Sequence, residues 1–409
     1  MINAHGGRLV NRVVQDELRK EKKSKAGLYK KISVDDSTVS FFEMIAIGAL
    51  SPLEGFMCSE NYNSVLRSMH LQTGVPWTVP ITLKISSQLA SELRIGEKCS
   101  VCEKNGNILG TIVVQEKFQV DRQLEYQLIH QSTLGVTSSR LLSSSRETIA
   151  IGGEIELLDY PSYKSNTSYR HEPAQARKIF TDRGWHRVVA FQNPNPIGNS
   201  RESVEKCALD IVDGLFLHPP IDECHSEDTF IMTEIRKYVE LIQNYYPSDR
   251  VVLGIFPWAK FHAGPREVVM QAIIRKNFGC SHFIVAEKNL DANDCFSILD
   301  LQRIFNEFRP EDLEITPIFA EETFYCEKCE AIVTAKTCQH QNHLQNEGSV
   351  SNGKAMLSKG ALPPLEFSNK DVFPILIDEL WNSNSRSRVL ACNHNGVQFN
   401  PKLLRFLSG

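Results

Sequence analysis

No apolar run in this chain approaches the roughly 20 residues that a membrane-spanning helix needs. Met1 to Lys25 is polar and charged and lacks the apolar stretch of a secretory signal peptide. Internal repeats and low-complexity tracts are missing, which excludes a solenoid and a compositionally biased chain. A strong charge of one sign is missing too. Lys and Arg number 45 against 49 Asp and Glu, for a net charge of −4, so nothing points to nucleic acid or an anionic membrane as partner. The 11 cysteines are an odd number, and three sit at metal-ligand spacing, which favours a reducing cytoplasm over a disulfide framework. What is present is ordinary for a globular protein: 42% hydrophobic and 23% charged residues in a chain of 409, long enough for two or three domains with a substantial core.

From about Lys31 to Tyr160 the chain consists of short alternating or β-branched segments broken by turns. Residues 79–86 alternate apolar and polar, and residues 110–114 follow a turn at 105–107. This spacing predicts a β-rich domain. Residues 161–171 read as a polar linker, and beyond it the rhythm changes. Short apolar strands are expected at 188–192, 214–217, 250–256 and 282–286. Helices are expected over 202–213, with an apolar stripe of Val204, Cys207, Ala208, Ile211 and Val212, over 228–246, and from Gly264-Pro265 to Gly279, with proline in the first turn and glycine as C-cap. Strands alternating with helices predict a parallel, doubly wound sheet, whose ligands bind at the carboxyl ends of the strands. Those ends are residues 192–201, 218–226, 256–266 and 287–294.

The loop after Gln192 joins a strand to a helix through Gly, Asn and Ser. Free backbone N–H groups and the helix dipole make such a loop a generic anion site. It is equally a tight connection with Asn199 or Ser200 as N-cap. Cys326-x-x-Cys329 followed by Cys338-x-His340 has the ligand types and spacing of a structural zinc site, with His343 as an alternative fourth ligand. Free thiols in a reducing cell are the other reading. Cys99-x-x-Cys102 has no second pair nearby and sits on an alternating segment, so it reads as structural.

Those strand-end loops, and nearly the whole chain, resemble the ATP sulfurylase (sulfate adenylyltransferase) family. The resemblance is carried by His5-Gly-Gly-Arg-Leu-Val-Asn-Arg12, Ser51-Pro-Leu-Glu-Gly-Phe-Met57, Gly184-Trp185 leading into the strand at 188–192, Ala263-Gly-Pro-Arg-Glu267 with Ile273-Ile-Arg-Lys-Asn-Phe-Gly279, and the cysteine segment Phe324-Tyr-Cys-Glu-Lys-Cys329 with Lys336-Thr-Cys338. It implies a β-rich, PUA-like N-terminal domain (1–170), a Rossmann-like parallel α/β nucleotidyltransferase domain (171–315) and a small zinc-bearing C-terminal region and tail (316–409). The tail after Trp381 suggests no role. The implied reaction joins sulfate to the α-phosphate of ATP and releases pyrophosphate. Sulfate is a weakly nucleophilic dianion approaching a polyanion, so the family relies on cations and backbone donors that offset their repulsion.

Many of those groups stand in one family loop, Gln-x-Arg-Asn-Pro-x-His-x-x-His-Glu, where the arginine holds sulfate and the histidines contact the ATP phosphates. This chain reads Gln192-Asn-Pro-Asn-Pro-Ile-Gly-Asn-Ser-Arg-Glu202. Pro194 replaces the sulfate arginine, Gly198 the first histidine and Arg201 the second. Phe261-His262 replaces an arginine and an aromatic residue, with Lys260 one place earlier. Residues 286–291 depart from the family's Gly-Arg-Asp-His-Ala-Gly, and Ser351-Asn-Gly353 from its Ser-Gly-Thr.

The resemblance thus implies Gln192, Asn195 and Arg201 as catalytic positions. Gly198, His218, Lys260, His262, Ala263, Gly264 and Arg266 are the implied ligand-binding positions, and Cys326, Cys329, Cys338 and His340 the metal ligands. Arg266 is alternatively one arm of a salt bridge, Lys260 a solvated lysine, His262 a packed histidine, and His218 a hydrogen bonder to its own loop. The expected cofactor is structural zinc, with ATP or another nucleotide as ligand. A nucleotide and a small oxyanion are the expected partners, a homo-oligomer is allowed, and nucleic acid and membrane are not. The functional expectation is a nucleotidyltransferase-type protein whose sulfate reaction is lost or redirected to another oxyanion. Its alternative is a non-catalytic family member that binds a nucleotide or a partner subunit.

Overall fold

A computed structural model describes residues 2–129, 149–162, 168–192, 199–221, 228–257, 261, 263–286, 296–321, 323–326, 328–340 and 375. In the N-terminal half the short alternating segments become strands β1 (Lys31–Ser33), β2 (Gly55–Phe56), β3 (Leu83–Ile85), β4 (Lys98–Cys102), β5 (Ile108–Val113), β6 (Glu116–Gln119) and β7 (Ile149–Leu157). They form one seven-stranded sheet along the path β1-β4-β5-β7-β2, with β3 and β6 also paired to β7. Helices α1 (Asp16–Ala26), α2 (Asp36–Ala46), α3 (Ser59–Ser68), α4 (Ser87–Glu92) and α5 (Arg122–Ile129) surround it. Gly55 pairs with β7 so closely that a Cβ there would lie 1.9 Å from the Gly153 carbonyl oxygen, so only glycine fits. Cys99 and Cys102 are buried on β4.

The second half contains β8 (Val188–Phe191), β9 (Gly214–Leu217), β10 (Pro220–Ile221), β11 (Val251–Leu253), β12 (Phe256–Pro257), β13 (His282–Ala286) and β14 (Thr316–Ala320). Between them lie α6 (Pro173–Asp182), α7 (Asn199–Leu209), α8 (Asp228–Tyr245), α9 (Pro265–Asn277), α10 (Ile298–Phe305) and α11 (Pro310–Leu313). Five strands form an all-parallel sheet in the order β11-β9-β8-β13-β14. The four expected strands are all in it, and β14 is an addition. The third is shorter than expected. After Leu253 the chain leaves the sheet, because Gly254 N–H still donates to the Leu217 carbonyl at 2.8 Å while Ile255 N–H turns to that of Tyr169 at 2.9 Å. Phe256–Pro257 then pairs with β10 instead. No helix among the described residues is long and apolar enough to cross a membrane.

Both faces of the parallel sheet are covered, so strands β8, β9 and β11 carry no polar side chain. On one face Val189, Phe191, Leu215, Leu217 and Ile284 pack with residues of α7 and α8. On the other, Val188, Ala190, Phe216, Phe283 and Val285 join a core that continues through α9 into the N-terminal half. Every residue of α9 from Glu267 to Asn277 is buried, so its polar groups need partners within the protein. Asn277 Nδ2 donates to the carbonyls of Ala49 and Ser51, both at 3.0 Å, and its Oδ1 accepts from His5 N–H at 2.9 Å. Lys276 Nζ donates to Glu314 at 2.8 Å, and the His5 imidazole Nε2 lies 2.6 Å from the Pro76 carbonyl oxygen. From α6, Arg177 donates to the carbonyls of Ile2, Lys276 and Asn277 at 2.7–2.8 Å. A buried ion pair, in which Nη2 of Arg170 donates to both carboxylate oxygens of Glu43 at 2.7 Å, fixes the connecting segment to α2.

Arg266, at the start of α9, donates to the Leu66 carbonyl at 3.2 Å from both Nη atoms, and Thr78 Oγ1 donates to the Arg266 carbonyl at 2.6 Å. Its guanidinium thereby docks α9 onto the negative end of the α3 dipole. Arg266→Ala should cost about 2 kcal/mol, as expected for hydrogen bonds from a charged group. Arg266→Lys, which lacks the planar fork, should recover only part of it. Urea midpoints measure both, and an unchanged midpoint in the Ala variant would remove the docking role.

His5 is fully buried, and burial pushes its pKa down from the usual 6.5 to about 4; the Lys276 ammonium adds to this against the Pro76 carbonyl and the Glu314 carboxylate. Between those values the unfolded chain binds the proton and the folded one does not. Stability should therefore be full above about pH 6.5 and fall on acidification towards pH 4, by about 3 kcal/mol from this group. The loss between about pH 7 and pH 4.5, measured by denaturant unfolding, should be smaller in His5→Gln than in the parent chain.

Candidate active-site crevice and metal cluster

The chain builds outward from β8 to β9 and β11, then crosses back to place β13 and β14 on the other side of β8. The strand order reverses between β8 and β13, and in such sheets the crevice outside the carboxyl ends at that point takes the ligand. Gln192 follows β8 directly and stands at this crevice. It is buried, and its Oε1 has no hydrogen-bond partner among the described residues. A buried amide oxygen left so costs about 1–3 kcal/mol, and it is an acceptor for a donor entering the crevice.

Helix α7 begins at Asn199, one short loop after Gln192, and by the topology its amino end faces the crevice. Arg201 lies in its first turn. Beside it Glu202 is buried and paired with Lys206 at 2.5 Å. The buried stripe is rotated from the expected one. Cys207 and Ile211 are exposed, and the buried positions are Glu202, Glu205, Ala208, Leu209 and Val212. Glu205 turns inward because it accepts a hydrogen bond from the Tyr246 hydroxyl, whose pKa burial and this carboxylate push far up. At the carboxyl end of α7 Arg250 donates to the Leu209 carbonyl at 3.5 Å, and more closely to the carbonyls of Val212 at 2.7 Å and Asp213 at 2.5 Å in the turn that follows the helix. A cation at that end complements the dipole, and the amino end of a helix attracts anions.

The remaining positions separate into groups. Gly264 caps α9 with φ 54° and ψ −134°, a conformation open essentially to glycine alone. The Ala263 N–H, buried beside it, donates to Glu267 Oε2 at 3.4 Å, so the acid of the next turn occupies the amino end of α9. Arg266 is engaged by α3 as described. His218 is fully buried, its ring centroid 4.4 Å from Phe216 and 4.6 Å from Phe278, and its carbonyl accepts from Arg275 at 3.3 Å. Burial and the charges of Arg275 and His171 hold its pKa well below the ordinary value, against a hydrogen bond with the Ile255 backbone. His218 is therefore a neutral imidazole packed in the interior. Phe261 packs its ring 5.3 Å from Phe41 of α2. Asn195, Gly198, Lys260, His262 and the alternative ligand His343 lie outside the described residues. Sequence reasoning missed Glu205, Tyr246 and Arg250, which hold α7. The one available signal was an acid on the apolar side of the helix.

Cys326, Cys329, Cys338 and His340 do converge. Their Sγ and ring nitrogen atoms all lie within 4.8 Å of one another. Strands β15 (Thr323–Cys326) and β16 (Ala331–Thr334) form an antiparallel hairpin pairing Cys326 with Ala331, with Cys329 in its turn. A second turn, closed by Cys338 N–H to the Thr334 carbonyl at 3.1 Å, delivers Cys338 and His340. Sulfur–sulfur separations are 3.6 and 3.7 Å, and sulfur–nitrogen separations 3.3–3.5 Å. A tetrahedral ion at about 2.3 Å from sulfur and 2.0–2.1 Å from nitrogen has edges of about 3.8 and 3.5 Å, so the set fits one four-coordinate metal. Burial would raise the Cys326 thiol, but the Cys329 N–H and the groups facing it hold it down at about 6, which favours the thiolate a metal requires.

A family model described as ATP-sulfurylase matches residues 167–379, and one described as a PUA-like domain matches residues 2–160. The chain is 39% identical over 379 residues to a sulfate adenylyltransferase of Synechococcus sp. (strain JA-3-3Ab), covering 93% of this chain and 96% of that protein. It is 38% identical over 371 residues to the sulfate adenylyltransferase of Nostoc punctiforme, covering 91% and 95%. The hexameric APS kinase from Thiobacillus denitrificans shares the fold, with a TM-score of 0.73 and 23% identity over 92% of this chain and 68% of that one. With one model spanning the parallel-sheet half, and relatives of full length matching both halves, this chain is a member of the ATP-sulfurylase family.

Proposed function

We propose that the crevice at the β8–β13 switch point binds a nucleotide, and that the sulfate reaction of the family is lost here or redirected to another oxyanion. One observation carries the reading: Pro194 stands where the family loop has its sulfate-binding arginine. Proline has no charge and no backbone N–H. The family reaction is attack of an oxyanion oxygen on the α-phosphorus, breaking its bond to the bridging oxygen so that pyrophosphate leaves. In this reading Gln192, Asn195 and Arg201 are the catalytic positions, and Gly198, His218, Lys260, His262, Ala263, Gly264 and Arg266 the ligand-binding positions that the family resemblance implies. Arg201 restores phosphate charge lost with the histidines, but it stands seven positions beyond Pro194 and leaves the sulfate position without its fork. The same losses support a second reading, a non-catalytic member that holds a nucleotide without turning it over.

Losing one preorganised donor slows catalysis about 100- to 1000-fold, and several losses need not multiply. Sulfate-dependent pyrophosphate release is expected to be at least about 100-fold below that of an intact relative, even at saturating sulfate. Phosphate and phosphonates, assayed alongside, identify a redirected acceptor. Robust turnover with sulfate that disappears in Arg201→Ala would mean the replacement cations suffice and the proposal is wrong.

The cysteine–histidine cluster binds zinc in this reading, as a structural ion in a reducing cytoplasm. Protein purified without chelator should carry about one zinc per chain, and Cys338→Ser should lose it together with thermal stability. Metal-free protein whose three thiols alkylate readily, at unchanged stability, would exclude the site.

A further inference from the structure

The hairpin β15–β16 is a two-stranded sheet of its own, a unit that is marginal in water without other support. Cys326 is buried, Cys338 and His340 are half-buried and Cys329 is exposed, and the four ligand atoms tie the two strands to the turn that follows them. It is fastened at its base by Lys336 on Glu321 at 2.6 Å. Glu321 directly follows β14, the edge strand beside β13. Both hairpin strands pack against α7, whose other neighbours are β8 and β9 and, through Glu205, Tyr246. Helix α7 therefore lies between the parallel sheet on one side and, on the other, a two-stranded hairpin whose turns carry four converging ligand atoms.

We infer that metal occupancy of the hairpin sets the position of α7 and thereby the affinity of the crevice for phosphate groups. Losing the metal frees the hairpin strands and removes one wall of the clamp. The sheet and Tyr246 still hold the middle and carboxyl end of α7. The loosened part is the first turn, which contains Arg201. Occupied metal and bound phosphate then favour the same placement of α7, and by linkage each strengthens the other. The nucleotide half of this inference rests on the proposed function; the α7 half does not.

Hydrogen exchange over residues 199–209, with calorimetric titration of magnesium ATP, tests it on zinc-loaded, chelator-stripped and zinc-restored protein. Stripping should raise exchange in 199–209, leave strands β8 and β9 and helix α9 protected, and weaken ATP binding about tenfold, within the usual range of coupling between sites. Zinc should reverse both changes, and Cys338→Ser should resemble the stripped protein. Unchanged exchange in 199–209 while the hairpin loses protection overturns the coupling. Loss of protection throughout the sheet overturns it as well, because the metal would then support the domain and not α7. If loaded protein binds no ATP, the nucleotide reading fails, and exchange in 199–209 still decides whether metal positions the helix.

Discussion

Helix α9 has no solvent face, and most of the architecture answers that constraint. A helix buried all round cannot leave a charge or an amide uncompensated without a penalty of several kcal/mol. Its partners come from both halves of the chain: His5, Ala49 and Ser51 for Asn277, Glu314 for Lys276, and the end of α3 for Arg266. These bonds fix the angle at which the seven-stranded sheet meets the parallel one. They also fix where α9 delivers its amino end, and with it Ala263 and Gly264. The crevice is built from the parallel sheet, but its orientation comes from bonds to the other domain.

Around the crevice the fixed partial charges have an order that side-chain charges alone would not convey. Helix α7 has Arg250 at its negative end, on the Leu209 carbonyl at 3.5 Å. Helix α9, whose positive end is also near, has Glu267 against the Ala263 N–H. The two helix ends therefore differ: an acid of its own next turn stands at the amino end of α9, and Gln192 stands on the β8 side of the switch point.

Much of this was legible in the sequence for a simple reason. The central strands of a parallel sheet are apolar on both faces, so 188–191, 214–217 and 282–286 stand out as short apolar runs between turns. Strand β14 was not legible because Pro317 interrupts the signal, and proline is tolerated there only because β14 is an edge strand. The helix stripe at α7 was misplaced by a fraction of a turn. Burial of Glu205 depends on Tyr246, far along the chain, and no local pattern announces such a partner. Arg266 posed the same difficulty, since its acceptors on α3 are backbone carbonyls that any sequence would supply. The cysteine cluster was the opposite case. Four ligands, three cysteines and one histidine, at short spacing left little choice of geometry, and the side chains converge as their spacing requires.

Because α9 hides its whole surface, the division near residue 170 that separates two patterns of sequence does not separate two bodies in space. Each half supplies part of the other's interior, and their common core runs unbroken from Phe42 and Trp77 to Phe216 and Phe283. A different N-terminal partner would leave Lys276 and Arg275 with their partners Glu314 and His218, but would take from Asn277 its bonds to His5, Ala49 and Ser51.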